Sequence, residues 1–452
     1  MTDLAFATAT EHAEVVRHGE VAPHELFHLY RERIERLDSE LNAYVTVCEP
    51  TEPREGPFRG VPLPIKDLTE TDGVLTTYSS RAFADYVPDF DPAVVRRLKD
   101  AGFVLLGKTN SCELGITVVT ESELNGVCRN PWDTARTPGG SSGGAAVAVA
   151  AGLAPLAHGS DGGGSIRIPA SCCGLFGLKP SRGRVSPAPY SGLECYSTSG
   201  PIARTVLDAA AMLDVLAGYE PGDPWWAPPP ERPYAEEVGR EPGRLRVGLS
   251  TVPAIDAPVA PDCVAAAEDA AALLEELGHS VEEAPPPPWR DDSFFELFMK
   301  AWQVIPALNG KPLELFEPNN RALIEAARAT DSVEYVLATV RLRALAREVV
   351  EYVLQYDVLL TPALAQPPVP VGTVIGDDAW ESFRRAGEVT GFTQTANIAG
   401  LPAVSLPLWW NDAGLPIGVQ LVGRPAGEST LIRVSAQLEA ARPWRDRRPP
   451  LS

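Results

Sequence analysis

DPAVVRRLKDAGFVLLGKT, residues 91–109, decides the fold class. Asp91-Pro92 is expected to cap and open a helix reaching Ala101. An aspartate oxygen accepts the N–H groups that a first turn leaves over, and proline fits that turn. The apolar run 103–106 then reads as a buried strand. The same alternation recurs outward from here. Residues 143–152, small and apolar, are predicted as a helix feeding an extended 155–157. Strand 245–249, helix 262–277, strand 280–284 and a long helix 331–355 ending at strand 358–361 follow. Upstream, 9–20 and 24–38 have helical periodicity, the second with Leu26, Leu29, Tyr30 and Ile34 on one face, and read as a helical hairpin. Alternating elements of this kind build a sheet covered by helices on both faces, the α/β class.

The chain has 452 residues, and 39 Lys and Arg against 60 Asp and Glu give a formal net charge of −21. That balance argues against a nucleic-acid partner, which needs a basic footprint to displace counterions from phosphates. With 44% hydrophobic and 22% charged residues there is ample material for a sizeable core. The seven cysteines include no C-x-x-C pair, so neither a disulfide framework nor a metal site is expected. The N-terminus lacks the basic and apolar regions of a signal peptide. The longest small-apolar stretch, 143–157, is Ala/Gly-rich and broken by Pro155, so cytoplasmic residence and no membrane association are expected. Pro-rich 221–233 and 285–289 must be loops, because proline has no N–H to give a helix interior or a central strand. The region 218–375 reads as a variable segment that shapes a pocket or entrance.

Two motif matches mislead. Residues 102–109 satisfy G-x-x-x-x-G-K-[ST], but a phosphate cradle needs a strand before the first glycine and a loop between the glycines. Here a helix comes first and the intervening residues are themselves a strand. Residues 139–143 match G-x-S-x-G, the nucleophile elbow, yet a loop and not a strand precedes them. Only His158 and His279 lie downstream as bases. His158 follows too closely for the usual order, and His279, in a Leu-Gly-His-Ser turn, reads as a solvated surface residue.

What remains is a concentration of glycine and serine, GGSSGG at 139–144 and SDGGGSIRIP at 160–169. Glycine weakens helices and strands, so such density implies special dihedrals or close approach of backbone. Tight packing of two turns would produce the same composition. Against that, Gly162, Gly163 and Gly164 immediately before Ser165 place consecutive N–H groups where a carbonyl oxygen attacked by Ser165 would sit. Together with the N–H of Ser165 they would be an oxyanion hole and nucleophile in one loop. The segment after Ser165 is expected to start a helix whose positive end favours the same oxyanion.

These residues resemble the amidase-signature hydrolases. The resemblance rests on GVPLPIKD at 60–67, GKTN at 107–110, NPW at 130–132, the two glycine/serine loops and GLFGLKP at 174–180. It resumes with Thr361-Pro362, NIAGLPAVSLP at 397–407 and GLPIGVQ at 414–420. It implies a single amidase-signature domain with a large, mixed, twisted sheet: an N-terminal helical segment 1–55, a core 56–217, the variable segment 218–375 and a core return 376–452. It also implies a Ser-Ser-Lys triad, with Ser165 as nucleophile, Ser141 as bridging serine in a cis Gly140–Ser141 peptide, and Lys66 as base.

The chemistry is coherent with that assignment. A lysine is a base near neutral pH only if burial destabilises its ammonium, and Lys66 follows the apolar 61–65. Ser142, Asp161 and Arg167 are expected behind the triad, Asp67 and Asp161 as hydrogen-bond acceptors and Arg167 as partner to one of them. The family commonly has Thr, Ile or Ala where this chain has Gly162 and Gly163, which is expected to widen the acyl side of the pocket. Gly115, Cys172, Cys173, Tyr190, Cys195, Trp302 and Phe392 are candidates for the pocket lining, with core packing the alternative for each.

The resemblance therefore implies hydrolysis of amide C–N bonds, and of esters or carbamates, in small apolar substrates, with no cofactor, by a monomer or homodimer. It is closest to the branch with nylon-oligomer and urethane-cleaving enzymes. The alternatives are the A-subunit of an amidotransferase and a non-catalytic protein on this fold. The second would be expected to have lost a triad member, and the chain has all three.

Overall fold

Thr8 opens the first helix, α1 (Ala9–Arg17), by a reciprocal cap: its Oγ1 accepts from Glu11 N at 3.1 Å while the Glu11 carboxylate accepts from Thr8 N at 2.7 Å. In the computed structural model, which describes residues 4–190, 196–290 and 292–452, α2 (Pro23–Leu41) then buries Leu26, Phe27, Tyr30 and Ile34. A small sheet follows, made of β1 (Tyr44–Val47), β2 (Pro62–Lys66) and, after α3 (Ala93–Asp100), β3 (Val104–Thr109). Its order is β1-β3-β2, with β2 parallel to β3 so that Lys66 lies opposite Thr109. The backbone of 104–109 is thus committed to strand pairing on both sides and forms no phosphate loop.

Asp91 does not cap α3. The N-cap is Pro92 without a side-chain bond, while the Asp91 carboxylate binds Lys99 Nζ at 2.7 and 2.9 Å and accepts from Asp72 N. A full ammonium partner outcompetes the first-turn N–H groups for the same oxygens.

A short hairpin, β4 (Glu121–Ser122) and β5 (Gly126–Val127), precedes α4 (Gly143–Ala150), whose every residue is buried, which is why it is small and apolar all round instead of amphipathic. The chain continues through β6 (Leu156–Asp161), α5 (Arg167–Cys173), β7 (Phe176–Lys179), β8 (Thr198–Ala203), α6 (Val206–Leu216), β9 (Arg246–Leu249), α7 (Pro261–Glu276) and β10 (Ser280–Glu283). Helices α8 (Asp292–Trp302), α9 (Pro318–Ala329) and α10 (Ser332–Val353) lead to β11 (Val358–Pro362). Then come α11 (Ala379–Thr390), α12 (Gln394–Ala399), β12 (Ala403–Trp410), β13 (Pro416–Gly423) and α13 (Glu428–Ala441).

Among the described residues, eight strands form the main sheet in the order β10-β9-β11-β13-β12-β7-β8-β6. The β10-β9-β11 edge is parallel and the remaining pairs antiparallel, so the sheet is mixed. Side chains alternate across the pleat into two separate apolar layers. Val358, Leu360, Val419 and Leu421 pack with residues of α6, α7 and α13, whereas Leu359, Ala403 and Val422 pack with residues of α8, α10 and α12. Both faces are buried, as the α/β expectation requires.

His279 is not a surface histidine. It is buried where α7 turns into β10, its Nδ1 accepting from Leu245 N at 3.1 Å and its Nε2 lying 2.8 Å from Gln437 Oε1. The turn folds back under α13, so a polar ring with two partners serves as a brace. Among the described residues no helix is long and apolar enough to cross a membrane.

Candidate active site

Three chain segments meet at one point. Strand β2 ends on Lys66, β6 ends on Ser160 and Asp161, and the loop 139–142 runs into the N-terminus of α4. Lys66 is fully buried, and its Nζ donates to Ser141 Oγ at 2.8 Å, to Ser160 Oγ at 3.1 Å and to Ser160 O at 3.4 Å. Burial brings its pKa down from 10.5 to about 7, while the acidic groups of Cys112 and Asp161 pull the other way. A large share of this lysine is therefore a neutral amine near pH 7. The Gly140–Ser141 peptide is cis. Ser142 makes no hydrogen bond to Lys66: its N–H donates to Ser165 O at 3.2 Å and its Oγ to Ser160 O at 3.2 Å, tying the two loops together.

Ser165 lies at the rim of a pocket and is nearly buried. Among the described residues no hydrogen bond joins its Oγ to Ser141. The loop that presents it is held by one carboxylate. Asp161 accepts from Gly164 N at 2.8 Å and Ile166 N at 3.2 Å, and pairs with Arg167 through two 2.9 Å contacts. Asp161 and Arg167 are both fully buried. Burial would raise the Asp161 carboxyl, but the Arg167 guanidinium more than offsets that and holds it well below the usual carboxylate range.

Arg167 spends its remaining donors on Thr393 O at 2.9 Å, Gln420 Oε1 at 2.5 Å and Asn397 Oδ1 at 2.6 Å. Asn397 in turn donates to Asp161 Oδ1 at 2.8 Å. Asp67 plays no part in this network; it accepts from Thr77 N and holds the 67–77 loop. Gly164 has φ +128° and its missing side chain would meet Thr393, so glycine is required there. Its N–H is taken by Asp161. Among the described residues, the N–H groups of Gly162, Gly163 and Ser165 are left without an acceptor, which corrects the expectation that all four point at one oxyanion.

The pocket beside Ser165 is lined by Phe294, Phe295, Phe298, Met299 and Trp302 of α8, by Phe383, Ala386 and Gly387 of α11, and by Ile116, Val118, Ile168 and Ile255. Among the described residues, Thr117 and Gln394 are the other polar side chains in that lining, and none is charged. Of the residues expected in it, Gly115 and Trp302 are there. Cys172 and Cys173 are not: both are buried on α5 against the loops before α4, their carbonyls bound by Asn130 and Trp132. Tyr190 is exposed and donates to Glu70 Oε1 at 2.6 Å outside the pocket. Phe392 is buried beyond it, its carbonyl bound by Gln420. Cys195 lies outside the described residues.

Gly162 does not widen the pocket, because the Trp302 indole lies over it, whereas Gly163 is part of the lining. Sequence reasoning missed Ser160, Thr393, Asn397 and Gln420, although Asn397 and Gln420 stand inside the blocks that carry the resemblance. It also missed the aromatic face of α8, whose signal, Phe294-Phe298-Trp302 at helical spacing, reads equally as core. His158 is buried on β6, its Nε2 3.0 Å from Ser199 Oγ, and burial takes its pKa down to about 3.

The sequence model of the Amidase family matches residues 25–432. The chain is 39% identical to 6-aminohexanoate-cyclic-dimer hydrolase of Paenarthrobacter ureafaciens over 98% of this chain and 96% of that protein. It is 35% identical to the A-subunit of glutamyl-tRNA(Gln) amidotransferase of Moorella thermoacetica over 99% of both. A solved structure of 6-aminohexanoate cyclic dimer hydrolase superposes with a TM-score of 0.93, covering 99% of each chain at 38% identity. With a family match across most of its length and a relative of near-equal length at this identity, the chain belongs to the amidase-signature family and is a hydrolase of amide C–N bonds.

Proposed function

We propose that this amidase works through a Ser165 acyl-enzyme, with Ser141 as proton relay and Lys66 as base. The observation that carries the reading is the 2.8 Å contact between Ser141 Oγ and a fully buried Lys66 whose pKa is brought to about 7. Neutral Lys66 takes the Ser141 proton as Ser141 takes that of Ser165, once substrate turns the Ser165 hydroxyl toward its neighbour. The Ser165 oxygen bonds to the amide carbon, and the negative charge falls on the carbonyl oxygen within reach of the N–H groups of Gly162, Gly163 and Ser165. Collapse breaks the C–N bond, and the proton on Lys66 returns through Ser141 to the leaving nitrogen. Water repeats the sequence on the ester and frees the acid.

Asp161 and Arg167 hold the loop and do not exchange protons: the carboxyl is held far too acidic and the guanidinium is bound on every side. The lining favours uncharged substrates with an apolar arm, among them cyclic amides of the kind cleaved by the hydrolase relative, and aryl esters and carbamates with the same carbonyl chemistry. The test is intact-protein mass after a fluorophosphonate, with turnover of aryl amides and aryl carbamates, in wild type, Ser165→Ala and Lys66→Ala. An adduct on Ser165 and hydrolysis in wild type alone support the assignment. Substantial turnover in either variant refutes it.

A further inference from the structure

Gly162 differs from Gly164 in why it must be glycine. Its φ lies outside the left-handed region, so its backbone would accept any side chain. What forbids one is a neighbour. A Cβ on Gly162 would come 2.9 Å from Cη2 of Trp302, closer than real carbon contacts allow, and 3.3 Å from Cζ3, which is tight.

The indole has no easy retreat. Its Nε1 donates to Ile116 O at 3.2 Å, and its ring stacks on Phe298 at 5.3 Å with 21° between planes. Phe298 in turn stacks on Phe294 further along α8. Gly163 has no such constraint, since a Cβ there would make ordinary contacts at 3.5 and 3.8 Å.

We infer that Gly162 and Trp302 are a size-complementary pair that sets specificity, selecting amides with a flat or slender uncharged arm beside Ser165. This rests on the proposed role of Ser165. The missing side chain at 162 admits the indole edge to the glycine loop, so the wall next to the reacting carbonyl is a planar aromatic face. A branched arm clashes with that face. A charged arm loses its hydration and meets no counter-charge among the described lining residues, none of which carries an ionisable side chain.

The experiment compares kcat and KM on four p-nitroanilides: hexanoyl (slender), benzoyl (flat), pivaloyl (branched) and 6-aminohexanoyl (cationic). Wild type, Trp302→Ala, Trp302→Phe, Gly162→Val and the Gly162→Val/Trp302→Ala double variant are assayed, with fluorophosphonate labelling of Ser165 run on each. Wild type is expected to favour hexanoyl and benzoyl over the other two by about tenfold or more in kcat/KM, the scale of discrimination by apolar pockets. Trp302→Ala should raise the pivaloyl-to-hexanoyl ratio by about tenfold, chiefly through KM, with Trp302→Phe between. Gly162→Val alone should depress all four substrates, and the double variant should recover hexanoyl turnover because valine fills the space the indole leaves.

An unchanged ratio in Trp302→Ala, or a double variant no better than Gly162→Val, overturns the pairing while labelled wild type keeps the acyl-enzyme reading. Failure of wild type to label or hydrolyse any of the four overturns both. If Gly162→Val does not fold, the ratio in Trp302→Ala and Trp302→Phe decides alone.

Discussion

The pH dependence of the reaction tests the base directly. Holding the Lys66 amine at about 7 instead of 10.5 corresponds to a net cost of about 5 kcal/mol for the ammonium form, burial outweighing the pull of Cys112 and Asp161. The active form is the neutral amine, so kcat/KM should rise with pH along a single-proton limb with a midpoint near 7. At pH 5 it should stand at about one hundredth of its plateau. Three other shielded groups are brought to about 7, Glu317, Glu439 and Lys179, and the limb must therefore persist in Glu317→Gln, Glu439→Gln and Lys179→Met if it belongs to Lys66. Lys66→Arg should be inactive at every pH, because a guanidinium stays protonated. The assay is initial-rate hydrolysis of an aryl amide from pH 5 to 9.5, paired with the pH dependence of fluorophosphonate inactivation, which reads the same activated serine without a leaving amine. A flat profile, a midpoint near 10, or a limb that survives in Lys66→Met would refute the reasoning.

Two further substitutions probe the supports. Asp161→Asn leaves the Arg167 guanidinium buried without its charge partner and loosens the Gly164 and Ile166 N–H groups; a loss of about 3–5 kcal/mol in urea denaturation is expected, with slower labelling of Ser165 in whatever folds. His279→Ala strands the buried Leu245 N–H and the Gln437 amide, at a cost of about 1–3 kcal/mol, and the same denaturation, run with an activity assay, should show a less stable protein of undiminished specific activity.

Most of the groups gathered at the candidate site were legible because residue type marks them. A buried lysine after an apolar run, two serine-bearing glycine loops and an Asp-Arg pair six residues apart are each unusual enough to be read from a string. The strand and helix order was legible for a related reason: apolar runs and breakers report local periodicity, and the observed bounds of β9, α7, β10, α10 and β11 fall close to those expected, while β3 runs three residues further than its apolar run. Asp91 and His279 misled because their partners, Lys99 in the next turns and Gln437 on a distant helix, outcompeted the local roles their positions suggested.

What the sequence by itself determined, then, is the set of groups able to do the chemistry and the alternation of elements that carries them. Only the tertiary structure decided which of these groups meet and what surrounds them. Lys66 is a candidate base because β2 and β6 bring it against Ser141 and Ser160 in a place water does not reach. The pocket is aromatic because α8 turns Phe294, Phe298 and Trp302 toward Ser165, while α5 turns Cys172 and Cys173 into the core. Gly162 looked like extra space and is filled by an indole 140 positions along the chain. Burial and contact are sums over residues remote in sequence, and no local pattern carries them.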